Sequence, residues 1–297
     1  MLNPGGSLTT PGAPSRGRSG LLPLLPFFAF VGMFLGVPTI ALFVRASRAV
    51  EGSSTPAMLE AIHGTFLQSF LFSLRLSGLS ALTGAFSGFF LALAVSRINR
   101  PRSLRRLVTG FCGVAANLGG IPLAFAFIAS LGAQGLLTRI LYHYGIDLYG
   151  SGFTISGFWG IVVVYLYFQV PLMVLMTLPA IDGLLPAWSE SSAVLGATRW
   201  QYWRHVGLPI LAPALMGGAL LLFANAFSAY ATAYALSSGS SRLVPVQIRF
   251  FLQGNTITGK GNLGYALAAW MVIILIIAMT GYMLLRRRSE QWKQLPR

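Results

Sequence analysis

Side chains capable of acid–base, nucleophilic or metal chemistry are few and scattered in this chain of 297 residues. The acidic residues and histidines are Glu51, Glu60, Asp147, Asp182, Glu190, Glu290, His63, His143 and His205. Catalysis requires several such groups in one site, but no HExxH spacing joins the histidines, and no GxxxxGK[ST] phosphate-binding loop occurs. We therefore predict a protein that is not an enzyme and in which any nucleotide is bound by another chain.

The composition is that of a membrane protein. Hydrophobic residues make up 55% of the chain and charged residues 9%, with a mean hydropathy of +0.70, whereas a soluble domain carries roughly a quarter charged residues. The net charge of +15 does not indicate a nucleic-acid surface, because arginine and lysine also collect on the cytoplasmic side of membrane proteins. The single cysteine, Cys112, excludes an intramolecular disulfide and a multi-cysteine metal site. These features predict an all-α polytopic membrane protein.

Six apolar segments are long enough to cross a bilayer, which takes about 20 residues in a helix. They are expected at about 21–44, 65–96, 107–131, 155–179, 208–236 and 263–285. The predicted organisation is a disordered tail at 1–20, a first transmembrane helix with an outer loop at 21–64, a core at 65–286 and a basic tail at 287–297.

Basic residues cluster at the ends of these segments and indicate their orientation. The strongest cluster is RINRPRSLRR at 97–106, and most of the 21 basic residues lie in segments that would share its side. Because arginine and lysine are enriched in cytoplasmic loops, we predict a multi-pass protein of the bacterial inner membrane with both termini cytoplasmic.

Small and helix-weakening residues predict how two of the spans pack. Ser80, Gly84 and Gly88 lie four residues apart on one helix face, which would let a second helix approach closely. The third span is expected to bend, and the freed carbonyl groups would need partners. The residues that weaken this helix are Asn117, Gly119, Gly120 and Pro122.

The most polar stretch in the second half of the chain is ESSAVLGATRWQYWRHVGLP, which we call the Glu190–Pro209 segment. Glu190-Ser191-Ser192 is followed after three residues by Gly196, and after nine more by V-G-L-P at 206–209. This spacing resembles the EAA loop of permease subunits of binding-protein-dependent ABC importers, whose pattern is E-A-A, three residues, glycine, nine residues and I-x-L-P. Serines replace the alanines and a valine replaces the isoleucine, while every anchor keeps its position.

The resemblance implies a type I ABC importer permease fold with six transmembrane helices. This chain would form half of the translocation pathway beside a second permease subunit, identical or homologous, in the lipid membrane. A dimeric ATPase would bind ATP and Mg²⁺, an external binding protein would deliver the solute, and this chain would bind no cofactor and no nucleic acid. A cytoplasmic coupling loop at about 182–207 would contact the ATPase, and the residues carried over are Glu190, Ser191, Ser192, Gly196, Ala197, Leu208 and Pro209.

The chemistry of the segment agrees with such a contact. A short helix at about 188–195 would lie along the membrane, and its small side chains would let the ATPase approach closely. Gly196 can adopt a positive φ at little cost and would turn the chain between two short helices. Glu190 would cap a helix or form a salt bridge at that joint. Pro209 is suited to the first turn of the next span, where its missing N–H is tolerated.

Candidate pathway residues are the polar and aromatic side chains in or near the spans, namely Arg75, Asn117, Gln169, Asn225, Tyr230 and Tyr234. The same side chains can instead form helix–helix hydrogen bonds or, for Arg75, reach the headgroups. Resemblance to spermidine and putrescine permeases in AFSAYATAYAL and YFQVPL favours a polyamine-like solute, with 2-aminoethylphosphonate, thiamine and iron(III) as alternatives. A stand-alone channel or secondary carrier is a remoter alternative, because it would need an intramembrane ion or proton relay.

Overall fold

The computed structural model describes residues 25–50, 55–98, 102–239, 242–253 and 260–291, with side chains of the last helix described to Leu285. Every regular element in these ranges is helical, which confirms the all-α prediction. The expected tail at 1–20 and residues 292–297 lie outside the described residues. The helices are α1 (Leu25–Val31), α2 (Val37–Ala46), α3 (Ala57–Glu60), α4 (Gly64–Ser96), α5 (Arg102–Asn117), α6 (Gly120–Leu131), α7 (Leu136–His143), α8 (Phe158–Asp182), α9 (Pro186–Val194), α10 (Arg199–Tyr202), α11 (Leu208–Ser228), α12 (Ala231–Ser237), α13 (Val244–Leu252) and α14 (Gly261–Gln291), with π-helical turns at Gly32–Gly36 and Trp203–Gly207.

Six helical stretches within the described ranges are long and apolar enough to cross a membrane. They are Leu25–Ala46, Gly64–Ser96, Gly120–His143, Phe158–Asp182, Arg199–Ser228 and Gly261–Leu285. Their number agrees with the sequence prediction, and four of the six agree with the predicted bounds to within a few residues. The third and fifth differ, because each contains a break that the hydropathy pattern does not show.

The third apolar segment, predicted at 107–131, is two helices. α5 ends at Asn117, and α6 begins at Gly120, which has φ +77°. Cys112 of α5 packs in a cluster with the Asp182 end of α8, whereas Leu123 of α6 packs in the cluster around the other half of α8. The predicted bend is therefore confirmed and is a complete interruption, while the apolar stretch continues through α7.

The fifth segment, predicted at 208–236, is also interrupted. α11 ends at Ser228, Ala229 is extended with ψ 103°, and α12 begins at Ala231. At its other end the helix starts earlier than predicted, because the π-helical turn Trp203–Gly207 connects α10 to α11 without a gap. The stretch Arg199–Ser228 is thus one helical rod that leads out of the polar segment.

α4 and α8 form the central helix pair, and the predicted small-residue stripe lies between them. A Cβ added at Gly88 would lie 2.5 Å from the Cβ of Met173, and one at Gly84 would lie 2.8 Å from the Oε1 of Gln169. The Nε2 of Gln169 donates a hydrogen bond to the Oγ of Ser80 at 3.3 Å. The close approach that the stripe predicted is confirmed, and a larger side chain at either glycine would force the helices apart.

α14 holds the N-terminal helix and α11 against the bundle. Ala46, Phe227, Leu263 and Leu267 are buried in one cluster that joins α2, α11 and α14. The indole N–H of Trp270 donates to the carbonyl oxygen of a residue in α3 at 3.0 Å. By contrast, α1 has no buried residue, so the first span is attached to the bundle through its second half.

Candidate functional site

The Glu190–Pro209 segment begins within α9, whose bounds Pro186–Val194 extend the predicted helix of 188–195 by two residues at the start. Pro186 occupies the first turn, where a missing N–H is tolerated. No residue of α9 is buried. The helix therefore projects from the bundle rather than packing against it.

The joint after α9 is built on main-chain hydrogen bonds around Gly196. This glycine has φ +77°, which confirms the predicted turn. The N–H of Gly196 donates to the carbonyl of Ala193, and the N–H of Ala197 donates to the carbonyl of Ser192, both at 3.0 Å. The two bonds form a Schellman motif, in which glycine is the usual residue at the left-handed position.

α10 starts immediately after this joint with a capping box. The N–H of Gln201 donates to the Oγ1 of Thr198 at 3.3 Å, and the N–H of Thr198 donates to the Oε1 of Gln201 at 2.7 Å. The reciprocal bonds satisfy two main-chain donors at the helix start. The T-x-x-Q spacing in the sequence carries this signal, although we did not predict the box from it. Both sides of the joint are thus fixed by local bonds.

The tip of the segment carries two exposed apolar side chains. Val194 is 87% exposed and Leu195 is 86% exposed. Glu190 is also exposed, and its carboxylate forms no ion pair with any residue that the structure describes. From the sequence we predicted a contact through small residues and did not single out this apolar pair, because exposure cannot be read from residue type.

The segment joins α11 through the π-helical turn Trp203–Gly207. A Cβ at Gly207 would lie 2.8 Å from the indole ring of Trp203, so the ring packs directly on the glycine backbone. Leu208 and Pro209 form the first turn of α11, where the proline was expected. This packing fixes the turn between α10 and the start of the long helix.

An ion pair lies where α9 leaves the bundle. The Nη2 of Arg105 donates to the Oδ2 of Asp182, which connects α5 to the last residue of α8. Asp182 is four residues before α9 begins. The chain that enters α9 is therefore connected to α5 as well as to α8.

The breaks in the third and fifth apolar segments contact each other at a distance from the Glu190–Pro209 segment. The N–H of Gly120 donates to the Oγ1 of Thr232 at 2.8 Å, and that hydroxyl donates to the carbonyl oxygen of Gly120 at 3.3 Å. Thr232 is 3% exposed. One hydroxyl thus bonds both main-chain groups of Gly120, including its N–H, which has no partner within α6 because it lies at the start of that helix. We call Gly120 and Ala229–Thr232 the break region.

The carbonyl freed at the second break has its own partner. The hydroxyl of Tyr165 in α8 donates to the carbonyl oxygen of Ala229 at 3.0 Å, and Tyr165 is 0% exposed. Tyr165 and Thr232 were not among the predicted pathway residues. Their partners are 64 and 112 residues away in the chain, so no local pattern identifies them.

The predicted pair Tyr230 and Tyr234 contacts the guanidinium group of Arg249. The rings of Tyr230 and Tyr234 pack with centroids 5.4 Å apart. The guanidinium carbon of Arg249 lies 4.4 Å from the centroid of Tyr234, and its Nη1 donates to the hydroxyl of Tyr230. The Nε of Arg249 donates to the Oε1 of Gln253 at 2.8 Å. The hydrogen bond with Tyr230 is the main cause that raises the pKa of Arg249 above its ordinary value. A fixed positive charge therefore faces both rings.

The other predicted pathway residues do not come together. Arg75 is exposed on α4, and Asn225 is exposed near the end of α11. Asn117 lies at the first break, where its Nδ2 donates to the carbonyl of Gly113 at 2.9 Å. Gln169 is 0% exposed in the α4–α8 interface. Among the six candidates, Asn117, Asn225 and Tyr230 thus lie at or near the ends of the interrupted helices, and Tyr234 lies one turn into α12.

The sequence model of the family described as "Binding-protein-dependent transport system inner membrane component" matches residues 84–292. The chain belongs to this family. The matched range covers more than half of the chain and includes the whole Glu190–Pro209 segment and the break region. This inner membrane component is therefore a part of a transport system, and the prediction that it is not an enzyme is confirmed by its family.

Similar proteins are permeases of several transport systems. The ferric transport system permease protein FbpB of Actinobacillus pleuropneumoniae is 25% identical over 275 residues, which are 90% of this chain and 38% of FbpB. The thiamine transport system permease protein ThiP of Escherichia coli is 27% identical over 168 residues, or 57% of this chain and 30% of ThiP. The molybdenum transport system permease protein ModB of Escherichia coli is 27% identical over 190 residues, or 63% of this chain and 80% of ModB. The chain spans less than half the length of FbpB and ThiP.

Among solved structures, a chain of the bacterial alginate ABC transporter in complex with an alginate pentasaccharide-bound periplasmic protein is similar. The TM-score is 0.67 with 21% identity, over 94% of this chain and 97% of that chain. The likeness confirms the predicted ABC importer permease fold for this inner membrane component.

Proposed function

We propose that this chain is the permease subunit of an ATP-binding-cassette importer and that it contacts the ATPase through the Glu190–Pro209 segment. The observation that carries the proposal is the exposed apolar pair Val194 and Leu195 at the tip of that segment. Burying such side chains against a partner removes apolar surface from water, at about 25 cal/mol per Å². The pair supplies the apolar centre of a contact whose polar rim includes Glu190, Ser191 and Ser192.

The segment is also pre-organised for such a contact. The Schellman motif at Gly196 and the capping box at Thr198 fix the relative orientation of α9 and α10 before any partner binds. A segment that is ordered in advance loses less conformational entropy on binding. It can also transmit a displacement, because it moves as one body rather than bending at the joint.

The path of that displacement supports a role in alternating access. α11 continues without a gap from α10 to the break at Ala229, and α5 runs from the ion pair of Arg105 with Asp182 to the break before Gly120. Both interrupted helices therefore begin beside the segment and end at the break region. A shift of the segment would move two sides of one hydrogen-bonded contact, which suits a hinge-like switch between inward-facing and outward-facing states.

The proposed assembly has three kinds of partner. A second permease subunit, identical or homologous, would complete the pathway. A dimeric ATPase would hold ATP and Mg²⁺, and an extracytoplasmic binding protein would deliver the solute. The family is described as part of a binding-protein-dependent system, and the similar alginate transporter was solved in complex with a periplasmic protein. Both support the assignment of a binding protein and, through the ABC transporter likeness, of an ATPase.

The orientation that we propose places both termini and the Glu190–Pro209 segment in the cytoplasm. Arg97 and Arg199 line one groove although they are distant in the chain, and Arg105 lies beside the base of α9. Such a gathering of arginines at one end of the bundle is typical of the cytoplasmic side.

The cargo proposal has two candidates. The sequence favours a polyamine-like cation that would contact Tyr230 and Tyr234, but Arg249 already occupies that aromatic face. A small anion such as an oxyanion is the second candidate, because the fixed charge of Arg249 would attract it, and the similar ModB is named for molybdenum transport. 2-Aminoethylphosphonate would belong with this second class. Thiamine and iron(III) remain alternatives, with ThiP and FbpB as the similar permeases.

The ligand of the partner binding protein would decide between these cargoes. Its thermal stability is to be measured with polyamines, oxyanions, phosphonates, thiamine and ferric ion. Arg249→Gln in the permease should then weaken uptake of an anion and leave the binding protein's affinity unchanged. Stronger uptake of a polyamine by this variant would instead support the polyamine-like cargo.

The ATPase contact is tested by the double variant Val194→Asp, Leu195→Asp. We expect loss of co-purification with the ATPase and at least about thirtyfold slower ATP-driven uptake, because the loss of even one of the two interface anchors costs about 2 kcal/mol. The matched control is Tyr144→Asp, Ile146→Asp, which replaces two exposed side chains in the turn after α7, outside the Glu190–Pro209 segment. Normal uptake by the tip variant would contradict the proposal, and transport without any ATPase would favour a stand-alone channel or carrier.

A further inference from the structure

A groove of about 560 Å³ separates the last turns of α4 from the start of the Arg199–Ser228 rod. Phe89, Phe90 and Leu93 form its wall on α4, and Trp200 and Trp203 form much of the opposite wall. The apolar wall lies inside the candidate span Gly64–Ser96. The groove is therefore open toward the region that acyl chains occupy.

Two arginines lie at the polar end of this groove. Arg97 follows the last residue of the span, and Arg199 begins α10. Both are exposed, no carboxylate lines the groove, and neither arginine forms an ion pair with a residue in the described ranges. Their charges are thus available to an anionic group outside the protein.

The order of side chains along the groove matches the order of groups in a phospholipid. The phenylalanine rings lie at the level of the acyl chains. The tryptophans lie at the membrane–water interface, where aromatic residues are enriched, and the arginines lie at the level of the headgroups. Basic pockets between membrane helices on the cytoplasmic side bind anionic headgroups. A soluble anion would make use of the arginines but not of the phenylalanine wall.

We propose that this groove binds one anionic phospholipid, with its phosphate between Arg97 and Arg199 and an acyl chain along Phe89, Phe90 and Leu93. The lipid would bridge α4 and α10. It would therefore stabilise the position of α10, which connects the exposed tip to α11. The groove shares Arg199, Trp200, Trp203 and Leu208 with the Glu190–Pro209 segment. It contains no residue of α9 and not Leu195, so it does not include the apolar tip at the centre of the proposed ATPase contact.

The first measurement compares two lipids on the unmodified protein. The purified full-length chain in neutral detergent is titrated with dioleoylphosphatidylglycerol or dioleoylphosphatidylcholine, and native mass spectrometry counts bound lipids. One phosphatidylglycerol should bind about thirtyfold more tightly than phosphatidylcholine, at about fivefold for each arginine. Equal affinities would overturn the proposal.

Variants then place the lipid in the groove. Arg97→Gln and Arg199→Gln should each weaken phosphatidylglycerol binding about fivefold. Arg204→Gln is the matched control, because Arg204 is exposed on the same segment but does not line the groove. An equal loss in the control would show diffuse attraction to surface charge and would overturn the site.

A variant that fills the groove tests whether a lipid occupies it. This test remains valid even if the arginine variants fail to fold. Ala94 is exposed and lines the groove, so Ala94→Trp should abolish preferential binding of phosphatidylglycerol while keeping both arginines. Leu82→Trp, on an exposed apolar position of α4, is the control for bulk. Unchanged phosphatidylglycerol binding in Ala94→Trp would overturn the proposal. So would a variant that keeps its lipid but no longer binds a second protein subunit, because a protein would then occupy the groove. Glycerol phosphate that competes as well as the lipid would show that the acyl chain contributes nothing, and would also overturn it.

Discussion

The Glu190–Pro209 segment and the break region use the same backbone conformation in opposite surroundings. Gly196 and Gly120 both have φ +77°. A Cβ added at Gly196 would have no neighbour within 4 Å, whereas a Cβ at Gly120 would lie 3.8 Å from the Cβ of Ala231. One left-handed turn is open to solvent, and the other contacts a neighbouring helix.

The hydrogen bonds of the two regions differ in the same way. Around Gly196 the partners are three to five residues apart in the chain, whereas Gly120 binds Thr232 across 112 residues and Ala229 binds Tyr165 across 64. The segment can therefore keep its shape while it moves. The shape of the break region depends on how α6, α8 and α12 are placed, so a movement of these helices changes it.

Among variants in these two regions, Gly120→Val should have the largest effect on stability. The left-handed conformation and the nearby Ala231 should together lower the free energy of unfolding by about 3 kcal/mol. Thermal unfolding in detergent measures the loss. Gly110→Val, at a helical glycine where a Cβ would have no neighbour within 4 Å, controls for valine alone. Equal stability of the two variants would show that the break does not need its glycine.

Tyr165→Phe should have the next largest effect, at about 2 kcal/mol. The variant keeps the buried ring but leaves the carbonyl of Ala229 without its donor. Tyr167→Phe is the control, because Tyr167 is on the same helix and only partly buried. Thermal unfolding is again the measurement, and α9 and α10 should keep their protection from hydrogen exchange. A stable Tyr165→Phe protein would mean that water or another group satisfies the break.

The locally determined features were predictable from the sequence. The Ser80, Gly84 and Gly88 spacing predicted a close helix contact because all three fall on one face of a helix, and the structure confirms that contact. Gly196 was identified because it stands at the glycine position of the EAA-loop pattern that the sequence resembles, and its φ of +77° agrees with the turn expected there. The six apolar stretches were also counted correctly, because hydropathy is a property of consecutive residues.

The remaining features depend on partners that are distant in the chain. Asn117, Gly119 and Gly120 predicted a weak point in a helix, but only the fold shows that Thr232 meets it. Nothing in the residues around Tyr230 indicates that Arg249 would lie on its ring, because a turn and a further helix separate them. Gln169 was predicted for a pathway, and it lies fully buried between two helices, so its part in a pathway stays a prediction.

Gly196→Val tests the segment with the same substitution as in the break region. The strain should be about 1–2 kcal/mol, and it should distort the joint between α9 and α10 while global thermal stability stays nearly unchanged. ATP-driven uptake should fall about tenfold or more, since 1.4 kcal/mol at the contact corresponds to a factor of ten. Gly196→Asn, which tolerates a left-handed conformation better, should retain more uptake. A large fall in thermal stability would contradict the view that the segment is self-contained.

Thr198→Ala should have the smallest effect, because it removes one side of the capping box and leaves the Schellman motif in place. Loss of an N-cap costs about 1 kcal/mol, and that cost should appear as faster hydrogen exchange in α10 rather than as a lower unfolding temperature. Thr198→Ser keeps an accepting hydroxyl and should restore protection. If α10 in Thr198→Ala exchanges at the original rate, the packing of Trp203 on Gly207 holds the helix instead, and the shape of the segment would then depend on the bundle as the break region does.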